Sequence, residues 1–193
     1  MDADTGASCL DFGATEGHPG YVTHWDYAGN GVGPRHTTSG PIVVGDRIIS
    51  AVGVEDSVVN ASDGFVRAFN VKSGALEWEF NPIPPAYINE TGAANVWSTL
   101  SVDLERGLVF LPTTSPSSDF FGGTRKFKLP YATATVALSA ETGNPVWHYQ
   151  TTHHDVYDYD LPGHPLLVTI RKDGELHDVA IQQSKSGYVF VFD

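Results

Sequence analysis

The stretch VRAFNVKSGALEWEF, residues 66–80, aligns without a gap with TVALSAETGNPVWHY, residues 135–149, at an offset of 69 residues. Internal repetition at such a period is typical of architectures built from stacked units. Each copy predicts a strand, a polar turn closed by glycine, and a second strand with a tryptophan four residues after that glycine. The copies share an alanine, a glycine and a tryptophan at matching positions: Ala68 and Ala137, Gly74 and Gly143, Trp78 and Trp147.

Partial copies stand near both ends of the chain. DADTG at 2–6 matches the turn of the first copy, with Leu10 at the position of the tryptophan. GYVFVFD at 187–193 matches the first strand and then stops before the turn. Because open arrays leave strand edges unpaired, we expect the chain to be a fragment of a longer repeat protein, truncated on both sides.

Further strand pairs are predicted between the copies, at 40–53, 98–113 and 164–183, each interrupted by a glycine turn. A unit is then about four strands, and no window shows a convincing helical stripe. We therefore predict an all-β fold, a β-propeller of four-stranded antiparallel blades. Three polar, Gly- and Pro-rich segments predict long loops, where binding sites are commonly built: 54–63, 81–97 and 114–132.

Composition restricts the partners. The chain has 193 residues, 41% hydrophobic, and a formal net charge of -12 without any block of like charges. Such an acidic chain lacks the cationic surface that nucleic acids or anionic membranes attract. Its single cysteine, Cys9, excludes an internal disulfide and a cysteine metal cluster. Neither a signal peptide nor a spanning segment is recognisable, so we expect any export signal or membrane anchor to lie outside this chain.

Titratable residues are crowded in TTHHDVYDYDLPGHP, residues 151–165. If residues 153–160 were extended, alternation would place Asp158 and Asp160 on one face. A zinc site is disfavoured, because adjacent His153 and His154 would point to opposite sides and no familiar zinc spacing is present. For His153, His164 and Asp160 a structural role is the expected one.

The chain resembles a known enzyme family over nearly 100 residues. The matching stretches are 94–113, 117–125, 135–162 and 183–193, which include NVW, SSDFFGGTR, HHDVYDYDLP and QSKSG. They resemble the quinoprotein dehydrogenases of the membrane-bound glucose dehydrogenase type, which use pyrroloquinoline quinone (PQQ). The resemblance implies an eight-bladed propeller, of which this chain supplies somewhat under three blades.

The resemblance also implies roles for single residues. Asp158, in HHDVYDYD, matches the general base of the family, and Lys185, in QSKSG, matches the lysine that bonds the quinone oxygens. Trp97, in NVW, matches the indole that lies against the cofactor ring. Trp78 and Trp147 are instead predicted to be core residues of the blades, because they follow the repeat.

A metal site is implied less closely. In the related alcohol dehydrogenases an asparagine binds Ca²⁺ at the position that is Ser115 here. Glu55 and Asp56 fall where the glucose enzymes have residues implicated in binding Ca²⁺ or Mg²⁺. This departure at Ser115 leaves the coordination sphere open.

The expected function is oxidation of a sugar or alcohol by hydride transfer to PQQ. A carboxylate must take the hydroxyl proton, and a cation must stabilise the reduced oxygen. The resemblance implies a respiratory electron acceptor and a periplasmic location. The alternative is a non-enzymatic propeller scaffold with PQQ-like repeats that binds protein; it would not need Asp158, Lys185 and Trp97 to converge.

Overall fold

The computed structural model describes residues 1–26, 31 and 33–193. Regular structure in that part of the chain consists of β-strands and three 3-10 helices at Ala14–Glu16, His24–Asp26 and Pro85–Tyr87. None of these helices has the length and apolar character of a membrane span. The strands are β1 Arg35–His36, β2 Ile42–Val44, β3 Arg47–Ala51, β4 Gly53–Val54, β5 Val66–Asn70, β6 Leu76–Phe80, β7 Ser101–Asp103, β8 Leu108–Pro112, β9 Ala134–Ser139, β10 Pro145–Gln150, β11 Leu166–Lys172, β12 Glu175–Gln183 and β13 Val189–Phe192.

The strands form two four-stranded antiparallel sheets, ordered β2-β3-β5-β6 and β7-β8-β9-β10. A three-stranded sheet, β11-β12-β13, and a short β1-β4 pair complete the pattern. The two aligned stretches occupy the same place in their sheets, as the last two strands β5-β6 and β9-β10. The predicted all-β class with four-stranded antiparallel units is confirmed.

The turns of the aligned stretches follow from their glycines. Gly74 and Gly143 have φ of +75° and +70°, a left-handed conformation that a Cβ disfavours. In both turns the glycine N–H donates to the carbonyl four residues earlier, Asn70 O or Ser139 O. The strand pairs predicted at 40–53, 98–113 and 164–183 are also present, as β2-β3, β7-β8 and β11-β12.

The partial copy at the start differs from the prediction. Its turn forms, since Gly6 N donates to Asp2 O at 3.0 Å. The residues after this turn adopt turns and a 3-10 helix, and Leu10 is 62% exposed. Leu10 therefore does not take the buried place that Trp78 has in its sheet.

The main core lies between the two four-stranded sheets. Trp78 and Phe80 of β6 pack with aliphatic residues of both sheets. The long segments after β6 and β8 are held together by backbone hydrogen bonds, Ala94 N to Ser115 O and Thr114 N to Asn95 O. These segments bring Trp97 and Ser115 close to residues that follow β10.

Candidate active site

Residues 153–160, which follow β10, form no strand, so the alternation considered for them does not apply. The buried carboxylate of Asp155 organises the segment instead. Its Oδ1 accepts the N–H of Tyr157 at 3.0 Å, and its Oδ2 accepts the N–H of Tyr159 at 2.9 Å and the hydroxyl of Thr133 at 3.1 Å. The buried guanidinium of Arg125 donates to the Asp155 carbonyl at 2.6 Å. The loop that carries Asp158 is thus anchored on both sides of that residue.

Asp158 lies at the bend of this loop with φ of +58°. Non-glycine residues rarely adopt this conformation, although aspartate tolerates it better than most. Its Oδ2 accepts a hydrogen bond from Lys185 Nζ at 2.9 Å, and its side chain is 27% exposed. The bend therefore presents a carboxylate that is both ion-paired and accessible.

Lys185 lies in the turn between β12 and β13. Its backbone N–H donates to the carbonyl of Asp160 at 3.0 Å. Its ammonium donates to Oδ2 of Asp158 and Oδ2 of Asp160, both at 2.9 Å. Burial alone would lower the pKa of Lys185, but the hydrogen bonds from its ammonium to the two carboxylates raise it. The side chain, 34% exposed, is a fixed positive charge at the surface of the site.

The indole of Trp97 contacts Asp160 and Lys185. Its Nε1 donates to Asp160 Oδ2 at 2.9 Å, and its ring centroid lies 5.9 Å from Lys185 Nζ. The structure thus brings together Asp158, Lys185 and Trp97, which are far apart in sequence. Trp78 and Trp147 lie elsewhere, in the core and against Phe110.

Asp160 links these groups, although a structural role alone was expected for it. Its side chain is 3% exposed. Oδ1 accepts the N–H of Ser115 at 2.8 Å, and Oδ2 accepts both Trp97 and Lys185. Burial raises the pKa of Asp160, and the hydrogen bonds from Ser115, Trp97 and Lys185 oppose this rise. The only sequence signal was the Asp-Tyr-Asp spacing, which does not reveal a shared partner.

The three residues suggested for a metal differ in their surroundings. Ser115 is fully buried, and its hydroxyl has no hydrogen-bond partner among the described residues. Asp56 is half-buried. Glu55 is exposed, and its carboxylate accepts hydrogen bonds from Ser57. The carboxylate of Glu55 therefore already has a hydrogen-bonding partner of its own.

Asp119 is an acidic neighbour that the sequence did not single out. It is buried, and its N–H donates to the carbonyl of Asp56 at 3.2 Å. Burial, followed by the charges of Asp119, Asp160 and Asp158, raises the pKa of Asp56 to about 6. Burial also raises the pKa of Asp119. No set of three or more His, Cys, Asp or Glu side chains is arranged as a metal centre in the ranges that the structure describes.

A separate cavity of about 660 Å³ lies between β7-β8 and β11-β12 and contains none of these residues. The groups that could carry out a reaction lie instead at the loop that carries Asp158. An accessible carboxylate can accept a proton, an ammonium can stabilise negative charge on an oxygen, and a half-buried indole can stack on a flat ligand. This combination suits oxidation of a hydroxyl group by a planar anionic cofactor.

Comparison with known proteins agrees with this chemistry. The sequence profile of the PQQ-type "Glucose/ethanol/alcohol dehydrogenase, beta-propeller domain" family matches residues 1–193. The quinate/shikimate dehydrogenase (quinone) of Acinetobacter baylyi is 36% identical over 206 residues, which cover 100% of this chain and 25% of that protein. Quinoprotein glucose dehydrogenase A of Acinetobacter calcoaceticus is 35% identical, again over 100% of this chain and 25% of its own length.

A solved structure is similar as well. The quinohemoprotein alcohol dehydrogenase ADHIIG of Pseudomonas putida superposes with a TM-score of 0.70 and 26% identity, covering 81% of this chain and 26% of that one. The chain thus spans about a quarter of the length of the relatives it matches. From the profile match over its whole length and from these identities, the chain belongs to the PQQ-dependent dehydrogenase family and to its β-propeller domain.

Proposed function

We propose that these residues form part of the active site of a PQQ-dependent dehydrogenase that oxidises a sugar or an alcohol. The observation that carries this proposal is the convergence of Asp158, Lys185 and Trp97. The ammonium of Lys185 donates to Asp158 and to Asp160, and the indole of Trp97 donates to Asp160. A protein-binding scaffold has no use for such a convergence, and no observation favours that alternative.

The residues present fit PQQ, a flat tricyclic quinone that carries carboxylates. Lys185 and Asp158 are 34% and 27% exposed, so a ligand can reach both. Trp97 is half-buried and its N–H is tied to Asp160, which leaves the ring plane fixed. A fixed indole and an ammonium within 5.9 Å of its centroid offer stacking and charge to such a ligand.

When bound, PQQ supplies an ortho-quinone that accepts the hydride from the substrate carbon. In our proposal Asp158 takes the proton of the substrate hydroxyl at a carboxylate oxygen, as a general base. Lys185 holds its ammonium towards the oxygen that becomes negative, which lowers the barrier electrostatically. Trp97 orients the ring by stacking.

We also propose a Ca²⁺ or Mg²⁺ ion beside the cofactor, held in part by Asp56 and Ser115. Two observations support this fit: the buried Ser115 hydroxyl lacks a partner among the described residues, and burial, followed by the charges of neighbouring carboxylates, raises the pKa of Asp56. Hard divalent cations prefer such oxygen ligands. Asp119 is close enough to contribute, whereas Glu55 is a poor ligand because it faces Ser57.

The names of several relatives support this substrate class: quinate or shikimate, glucose and glycerol dehydrogenases. All of the compounds in these names are polyhydroxylated small molecules.

We propose that electrons pass to a respiratory quinone and that the site faces the periplasm, with any membrane anchor contributed by segments outside these residues.

The test uses the full polypeptide to which these residues belong. The protein is loaded with PQQ and Ca²⁺ or Mg²⁺, and reduction of an artificial dye is followed with glucose, other aldoses, glycerol, ethanol and quinate. We expect saturable dye reduction with at least one of these compounds. If the protein neither binds PQQ nor reduces dye with any of these compounds, the proposed function is contradicted and the protein-binding scaffold is the remaining alternative.

A further inference from the structure

We propose that Asp160 is a positioning residue of this site, which holds the Lys185 ammonium and the Trp97 indole in the arrangement that receives the cofactor. This inference rests on the proposed function, since it concerns the same site. It assigns to Asp160 a task distinct from that of the base Asp158.

The first support is the hydrogen bonding of the Asp160 carboxylate. Oδ2 accepts Trp97 Nε1 and Lys185 Nζ, each at 2.9 Å, while Oδ1 accepts the N–H of Ser115 at 2.8 Å. One carboxylate thereby joins three chain segments that are separate in sequence. Charge-assisted hydrogen bonds of this kind are shorter and stronger than neutral ones. The two groups that the proposed site offers to the cofactor, the indole and the ammonium, thus share one hydrogen-bonding partner.

The second support is the contrast between the two carboxylates that share Lys185. The side chain of Asp160 is 3% exposed, whereas that of Asp158 is 27% exposed. Asp160 also accepts the Lys185 backbone N–H at 3.0 Å through its carbonyl. Asp158 can therefore turn towards a substrate hydroxyl while Lys185 stays bound to Asp160. The buried carboxylate holds the ammonium, and the accessible one is free to act.

The third support is the cost of burying a charge. A buried carboxylate is tolerated only when it is paired and its oxygens are satisfied. Among the described residues, Lys185 is the cation that hydrogen-bonds to Asp160. Removal of the carboxylate charge would weaken the hydrogen bonds from both the ammonium and the indole and leave Lys185 paired with Asp158 alone. Removal of Lys185 would leave Asp160 little to position apart from Trp97.

A double-mutant cycle on PQQ affinity tests this inference. The variants are Asp160→Asn, Lys185→Ala and both together, and binding is measured by ultrafiltration of PQQ with the metal-loaded full polypeptide. We expect each single change to weaken binding roughly ten- to a hundredfold, as for the loss of a hydrogen bond to a charged group. Because Asp160 acts largely through Lys185, the double variant should bind about as weakly as Lys185→Ala. Multiplying effects would overturn the inference.

A second readout needs no cofactor. The indole ¹H–¹⁵N resonance of Trp97, assigned by its loss in Trp97→Phe, should shift upfield in Asp160→Asn because a neutral amide replaces the carboxylate acceptor. The matched control is Asp103→Asn, which removes the charge of a carboxylate on β7 that pairs with Arg106, in the turn between β7 and β8 and away from the site. It should move neither this resonance nor PQQ affinity. An unmoved Trp97 resonance in Asp160→Asn would refute the positioning role.

The outcomes separate the two proposals. If the wild-type protein does not bind PQQ, the proposed function fails. If it binds and Lys185→Ala weakens binding but Asp160→Asn does not, only the inference about Asp160 fails. Should Asp160→Asn not fold, as judged by circular dichroism, the cycle is repeated with Asp160→Glu. That variant keeps the charge but displaces the carboxylate, and the same non-additivity with Lys185→Ala is expected.

Discussion

The indole ring of Trp78, on β6, lies directly against Gly143, in the turn between β9 and β10. A Cβ at Gly143 would stand 2.6 Å from ring carbons Cδ2 and Cε3 of Trp78. The indole N–H also donates to the carbonyl of Ala140, in the same turn, at 3.1 Å. One sheet is thus joined to the next by an aromatic ring that requires a glycine beneath it.

Gly143→Ala should therefore destabilise the protein more than the backbone conformation alone explains. Overpacking against Trp78 costs about 1–3 kcal/mol, in addition to about 1–2 kcal/mol for a left-handed alanine. The control is Gly107→Ala, at a φ of +64° with no atom within 4 Å of the added Cβ. Urea unfolding should show a clearly larger loss for Gly143→Ala. Equal losses would contradict the packing argument.

Asp158→Asn should abolish most activity while the cofactor still binds. The amide cannot take the substrate proton, and loss of a general base typically costs about 10²- to 10⁴-fold in rate. Lys185 keeps its bond to Asp160, so the site should stay assembled. We expect a fall in kcat with little change in PQQ affinity. Dye reduction at the wild-type rate would remove Asp158 as the base.

Asp56→Asn should weaken binding of the proposed cation, and Glu55→Gln should not. Asp56 lies beside Asp119, and burial, followed by the charges of Asp119, Asp160 and Asp158, raises its pKa. Glu55, in contrast, is exposed and hydrogen-bonded to Ser57. We expect the Ca²⁺ concentration for half-maximal dye reduction, after treatment with a chelator, to rise at least about tenfold in Asp56→Asn. A similar rise in Glu55→Gln would show that both acids are ligands.

His24 should make stability depend on pH. It is buried and contacts Ser50 and Arg67, and since arginine only donates, the ring is neutral with its proton on Nε2. Burial, followed by the positive charges of Arg67 and Arg35, lowers the pKa of His24 to about 4 from 6.5. Between these values the unfolded state binds more protons, so stability is full above pH 6.5 and is lost as pH falls towards 4.

The loss is up to about 3 kcal/mol for a shift of this size. Urea unfolding at pH 7 and pH 4.5 measures it, and His24→Gln removes the titrating group. We expect a smaller difference between the two pH values in the variant than in the wild type. An unchanged difference would assign the acid sensitivity to other groups.

The strands and turns could be predicted because their causes are local. Gly74 and Gly143 end their turns for the same steric reason, and β-branched and aromatic residues are frequent in the strands around them. Local reasoning was insufficient at residues 2–10: the turn at residues 2–6 forms, but Leu10 is exposed and does not pack as Trp78 does. A local sequence pattern predicts a turn, but it does not predict which residues pack against the segment that follows the turn.

The site could be predicted only in part. Resemblance to a family pointed to Asp158, Lys185 and Trp97, and the structure brings these three together. A structural role was predicted for Asp160, and no sequence pattern marked Asp119 as a site residue. Both lie in aperiodic segments, where the side-chain direction depends on hydrogen bonds to distant backbone, such as that from Ser115 to Asp160.

The sequence by itself determined the all-β class, the turn positions, the core tryptophan Trp78 and the acidic net charge, because each depends on residue type and near neighbours. Only the tertiary structure decided that Asp160 accepts hydrogen bonds from both Lys185 and Trp97, and that Asp56 stands beside Asp119. These contacts join residues at least 25 positions apart, whose distances are set by how the sheets pack and not by spacing along the chain.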